Sequence, residues 1–161
     1  MGALEYEPER VLGVELSSEG LKLDGLAEDA RRILASEDAS LEAVNGLLQL
    51  GGSSGGARPK ILADVSADGR RIVPEGMGGE DFSPWLIKFH SREDDPDQGL
   101  LEYAYSIMAK KCGIAMPETR LFPSETTPGF FGVRRFDRDA RGKVHIHTAS
   151  DCCMLPTDYR L

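Results

Sequence analysis

Residues 50–60 read LGGSSGGARPK: four glycines, two serines, Pro59 and two cations, Arg58 and Lys60. Glycine loses more freedom on ordering than any other residue, and proline removes a backbone donor, so this stretch is neither a helix interior nor a strand interior. It is a loop, and the apolar period differs on its two sides. Ahead of it, VLGVELSS reads as a short strand or an extended approach. LAEDARRIL then places Leu26, Ala30, Ile33 and Leu34 on one helical face. SLEAVNGLLQL repeats the pattern with Leu41, Val44, Leu47 and Leu48, and Ser40 suits its N-cap. Behind the loop, KILADVS and RRIVP read as strands joined by ADGR, a hairpin signal, and GMGGEDF is a second glycine-rich turn. WLIKFH is a buried-type strand with one charge inside it. SREDDPDQ leads into GLLEYAYSIMAKKCG, where Pro96 suits the first helical turn, acids gather at the positive end and Gly113 suits the C-terminal cap. TRLFP, FFGVRRF and KVHIHT read as three more strands. The expected class is α+β: an antiparallel sheet with one main helix, preceded by two short helices.

The chain has 161 residues, about one domain, and a formal charge of −8. Residues 1–50 carry eleven acidic and four basic side chains, so most of the acidity lies there and the remainder can hold an anion. The overall sign argues against a protein that coats nucleic acid. MGALEYEPER has no apolar run of the kind a secretory signal needs, and no segment approaches a membrane span. Three cysteines in such a chain suggest reduced thiols, and the expected location is cytoplasmic.

The glycine stretch is not a Walker A loop, because Ala57 stands where the lysine belongs, and no clear strand precedes it as a dinucleotide fingerprint requires. Its residues fit two roles: a flexible linker, or a loop whose N–H groups approach an anion with Arg58 and Lys60 adding charge. Lys88 in WLIKFH reads either as an edge-strand lysine reaching water or as a cation for a phosphate. Glu102, one turn into the main helix, is a solvated surface group or the carboxylate that fixes Lys88. Glycine loop, strand lysine and helix glutamate, in that order, also describe the N-lobe of a protein kinase. His145 and His147 alternate on a strand near Cys152 and Cys153, but the spacing matches no structural zinc pattern, and no metal site is expected. REDDPD lacks the glycine and terminal glutamate of a calcium loop. Arg134, Arg135, Arg138, Arg141 and Lys143 form a basic cluster without aromatic interleaving, which reads as a solvated hairpin.

GGSSGGARPK, WLIKF, EYAYSIMAKKCGIAMPETRLF, GVRRFDRD and KVHIHTAS stand in the order and spacing of the HipA-like serine/threonine kinases, the toxins of bacterial HipBA toxin–antitoxin modules. The resemblance covers most of the chain, to about Ser150. It implies that residues 1–50 are the end of an N-terminal subdomain and a two-helix linker, and that residues 51–161 are a nucleotide-binding N-lobe. It implies an ATP phosphate site of Gly52, Ser53, Ser54, Gly55, Gly56, Ala57, Arg58, Lys60 and Lys88, with Glu102 as the partner of Lys88. It makes Ser53 a regulatory phosphosite, whose modification would add about −1.5 to −2 charge to a phosphate-covering loop. RRFDR resembles the hinge, with main-chain groups of Arg134 and Phe136 toward adenine and Asp137 toward the ribose. Arg134 departs from the acidic residue often seen there.

In such kinases an aspartate orients the attacking hydroxyl, and an asparagine and a second aspartate hold Mg²⁺. CCMLPTDYRL supplies no such pattern, so no catalytic residue is expected in this chain, and Mg²⁺ is expected only together with a C-lobe. The expectation is a central piece of a kinase, inactive by itself. ATP is its implied cofactor and a HipB-like antitoxin an implied partner, with nucleic acid met only through that antitoxin. A different class of function is also open: an interaction module that binds an antitoxin or a separate catalytic lobe.

Overall fold

A computed structural model of the chain describes residues 20–35, 58–91, 93–139 and 142–146. The chain divides into two units, one of Val11–Arg135 and one of Met1–Arg10 with Phe136–Leu161. The first holds α1 (Leu23–Leu34), β1 (Lys60–Ser66), β2 (Ile72–Pro74), β3 (Phe82–Lys88), α2 (Gln98–Lys111), β4 (Thr119–Phe122) and β5 (Phe130–Arg134). Its five strands form one antiparallel sheet in the order β2-β1-β3-β5-β4. The described residues of the second form a small hairpin of β6 (Arg138–Asp139) and β7 (Gly142–Lys143). The α+β class expected from the sequence is the class observed.

The core face of the sheet follows from the alternation of its apolar residues. Ile61 pairs with Ile87 and Ala63 with Trp85, so the odd-numbered residues of β1 and β3 share one face. Ile61, Val65, Trp85, Ile87 and Phe89 are buried there. Each such side chain contributes roughly 1.5–3 kcal/mol on leaving water. Trp85 meets Phe122 edge to face at 5.6 Å between ring centroids, and Phe89 meets Phe130 at 5.1 Å. The hairpin between β1 and β2 closes around Ser66, whose Oγ donates to Asp68 and accepts from the N–H of Arg71. Just beyond it, the buried Asp64 carboxylate accepts the N–H groups of Gly76 and Gly78 and pins the second glycine-rich turn.

Helix α1 covers this core with Leu23, Ala27 and Ala30, spaced i, i+4, i+7. Of the expected stripe, Ala30 is buried and Leu26 packs half-buried against the core, Ile33 is half-buried, and Leu23 and Ala27 extend the buried face; the Leu34 side chain falls outside the described residues. The helix begins at Leu23, three residues before the window LAEDARRIL, and its first leucine sets the buried face. The N–H of Leu21 donates to the carbonyl of Ile72, and Asp24 accepts from Ser124, Glu125 and Thr126, so the helix start is tied to the sheet and to the β4–β5 loop.

Two other expectations shift. Pro96 precedes α2 instead of entering it: Gln98 donates to the carbonyl of Asp95 in a turn, and Asp97 is the N-cap residue. Of the described residues of KVHIHT, Lys143 lies in β7, while Val144, whose N–H donates to the carbonyl of Asp137, His145 and Ile146 lie outside any strand; His147 and Thr148 fall outside the described residues. The segments VLGVELSS and SLEAVNGLLQL fall outside the described residues. Gly113 ends α2 as expected, at a φ of 81° that residues with a side chain seldom adopt.

Candidate functional site

Lys88 is the last residue of β3, and its alternation sends it to the face opposite the core. Lys60 is its register partner on β1, which sets two cations side by side. Burial, with the charge of Lys88 beside it, holds the Lys60 ammonium below its ordinary value. The same face continues through Leu62, Leu86 and Val133, all half-buried, and the ring of Phe131 lies 5.6 Å from Lys88 Nζ. The surface is an apolar strip that ends in positive charge.

Helix α2 brings a carboxylate to that end. Lys88 Nζ donates to Glu102 Oε2 at 2.8 Å, and Gln98 Nε2 donates to Oε1 at 3.4 Å. Glu102 can stand there because the helix lies very close to the sheet. A Cβ on Gly99 would collide with the carbonyl oxygen of Gly129. Farther along, the Ser106 and Thr119 hydroxyls share a hydrogen bond of 2.9 Å, and Lys110 Nζ donates to Thr119 at 2.9 Å. The helix is thus fixed to β4 and β5 on both sides of Glu102. A small open notch, lined in part by Lys88, Gln98 and Glu102, lies at this point.

Arg58 belongs to a second charged pair. Its Nε donates to both carboxylate oxygens of Asp94, at 3.0 and 2.9 Å, and Nη2 donates to Oδ1 at 2.8 Å. Its Nη1 lies 3.6 Å from Glu102 Oε1. Asp94 also accepts from the N–H and hydroxyl of Ser91. The Arg58 guanidinium and the Ser91 N–H hold the Asp94 carboxyl at about 2, well below its ordinary range. Asp94 was not singled out by the sequence, where it is one acid in a run of several. The apolar strip was legible in principle: the even-numbered positions of KILADVS and WLIKFH alternate with the core set and include both leucines.

The other expected site residues are placed as follows. Gly52, Ser53, Ser54, Gly55, Gly56 and Ala57 lie outside the described residues. Arg134 ends β5, donates its N–H to the carbonyl of Glu118 at 2.8 Å and keeps its side chain exposed. In the second unit, Phe136 is 68% exposed, whereas Asp137 is buried and accepts from Arg138 Nη1 at 3.0 Å. His145 is exposed; His147, Cys152 and Cys153 lie outside the described residues. Among the described residues no three His, Cys, Asp or Glu side chains gather as a metal site, and no helix is long and apolar enough to cross a membrane.

Fold and site together define a small α+β domain with a helix-braced lysine on the open face of an antiparallel sheet. A family model described as HipA-like C-terminal domain matches residues 52–160. The chain belongs to the HipA-like family. No curated protein and no solved structure matches it.

Proposed function

We propose that this chain is the ATP-binding lobe of a HipA-like serine/threonine kinase toxin. The carrying observation is the 2.8 Å contact between Lys88 and Glu102 at the charged end of the apolar strip. A strand lysine held by a helix carboxylate points a fixed cation at nucleotide phosphates, and Leu62, Leu86 and Val133 offer a flat apolar surface to a base. Lys60, the register partner of Lys88, adds charge on the phosphate side, and the glycine stretch keeps, as part of this proposal, the N–H donor role that the resemblance implies. Arg134, Phe136 and Asp137 keep, as part of this proposal, the roles toward adenine and ribose that the resemblance implies, and Ser53 that of a phosphosite.

The parent reaction in this reading moves the γ-phosphoryl group of ATP to a protein Ser or Thr. Here the chain binds and neutralises phosphate charge, and the base and Mg²⁺ ligands come from elsewhere. Titration of ATP into the chain and into Lys88→Ala tests the reading. The expected result is a loss of affinity of about tenfold or more, or ~1.4 kcal/mol. Equal binding by the two proteins overturns the role of Lys88.

One observation favours a second reading, a non-catalytic interaction module. Leu101, Tyr105 and Met108 form an exposed stripe along α2, with Ile114 and Met116 exposed just beyond it. Single apolar residues are ordinary on a surface, but a contiguous stripe is a feature of interfaces. Binding of a purified HipB-like antitoxin that is lost in Met108→Glu, with ATP affinity unchanged, would support this reading. No binding by either protein would count against it.

A further inference from the structure

We propose that Arg58 is a positioning residue: it latches the exit of the glycine-rich stretch to the entrance of α2 and steadies the carboxylate that holds Lys88. This rests on the nucleotide reading above and assigns Arg58 a part different from direct contact with phosphate.

The geometry divides the guanidinium between two acids. Nε and Nη2 form a fork on Asp94, and Nη1 faces Glu102. Asp94, Arg58, Glu102 and Lys88 therefore make a row of alternating charge drawn from four places: the loop before α2, the end of the glycine stretch, α2 itself and β3. Glu102 is the shared member, with Lys88 on Oε2 and Arg58 beside Oε1. Asp94 is in turn oriented by two hydrogen bonds from Ser91. Arg58 is two residues from the start of β1, so fixing its side chain also fixes the chain at the point where it enters that strand. A planar fork suits this task; a lysine would satisfy one oxygen of Asp94 and would not also reach Glu102. An arriving phosphate would have to displace carboxylates from nitrogens already engaged.

The test uses the whole chain, with Arg58→Ala, Arg58→Lys, Asp94→Asn and the double variant Arg58→Ala/Asp94→Asn, each checked for folding by circular dichroism. Without nucleotide, carboxyl NMR follows the Asp94 titration. It is expected well below the ordinary range in the parent chain and nearer that range in Arg58→Ala. With ATP as the probe, each single variant is expected to lose affinity roughly threefold to tenfold, and the double variant no more than the worse single. Arg58→Lys is expected to behave like Arg58→Ala. If Asp94→Asn keeps or raises ATP affinity while Arg58→Ala lowers it, Arg58 is a direct ligand and the proposal fails. Additive losses overturn it equally. An ATP-binding parent chain whose Asp94 titrates in the ordinary range removes the latch alone. A parent chain with the latch intact and no ATP binding overturns the nucleotide reading, and the positioning role with it.

Discussion

Lys88 and Glu102 lie fourteen residues apart in sequence and 2.8 Å apart in space, one at the end of β3 and the other a turn into α2. Lys88 is 36% exposed, so the pair contributes little to stability, about 0–1 kcal/mol. What it does is direct the ammonium. Glu102→Gln is therefore expected to leave the thermal midpoint within a few degrees of the parent while reducing ATP affinity severalfold. Calorimetric titration beside a melting curve separates the two. A large drop in the midpoint with affinity unchanged would make the pair structural.

Gly99 governs how closely α2 approaches β5. Gly99→Ala places a methyl against the carbonyl of Gly129, and neither backbone can yield cheaply. The expected cost is roughly 1–3 kcal/mol, with weaker ATP binding because Glu102 moves with its helix. Gly25→Ala is the control. It is exposed in α1 with nothing near its Cβ, and is expected to stabilise by about 0.4–1 kcal/mol. Urea denaturation of the two variants, read against the parent, gives both numbers.

These local rules explain how much could be read before any coordinates. β1 matches KILADVS residue for residue because Ile61, Ala63 and Val65 alternate onto the core face and its hairpin is closed by local bonds of Ser66 and Asp68. The end of α2 matches because Gly113 is a local stop. Its start does not, because acids and Pro96 mark a region while the turn at Asp95 sets the first helical residue. The candidate site depends on long-range pairing. Residue type alone left Glu102 between a surface group and a partner of Lys88, and only the resemblance joined them. The contact of Arg58 with Asp94 spans thirty-six residues, and no periodicity in the sequence encodes it. The exposed stripe on α2 was equally hidden, since apolar residues at helical spacing do not say which of them will be covered.

Trp85 is the hub of the buried face. It is wholly buried, packs edge to face on Phe122 and donates its indole N–H to Ser83 Oγ at 3.0 Å. Trp85→Ala leaves a cavity beside Phe122 and is expected to cost about 3–5 kcal/mol, a large share of the stability of an ordinary domain, and to lower the thermal midpoint strongly. Trp85→Phe keeps most of the volume and should retain a cooperative transition at a lower midpoint. As the sequence has a single tryptophan, its fluorescence reports unfolding of the parent, and far-ultraviolet circular dichroism serves for the variants.

Acid should loosen the fold through two aspartates. Asp94 is held at about 2 against an ordinary 3.8, chiefly by the Arg58 guanidinium. Burial pushes Asp24 up, but its bonds from Ser124, Glu125 and Thr126 outweigh that and hold it below its ordinary value. A carboxyl whose folded value lies below its unfolded value adds stability above the unfolded value and loses it as pH falls through the folded one. Stability is thus expected to be level in this respect down to about pH 4 and to decline between about pH 4 and pH 2. With solvent screening around the partly exposed Arg58, the share of Asp94 is about 1 kcal/mol. Urea midpoints at pH 6, 4 and 3 check this for the parent, Asp94→Asn and Asp24→Asn. Each variant should be less stable at pH 6 and flatter below pH 4. An unchanged slope in both variants would assign the acid sensitivity to other carboxylates.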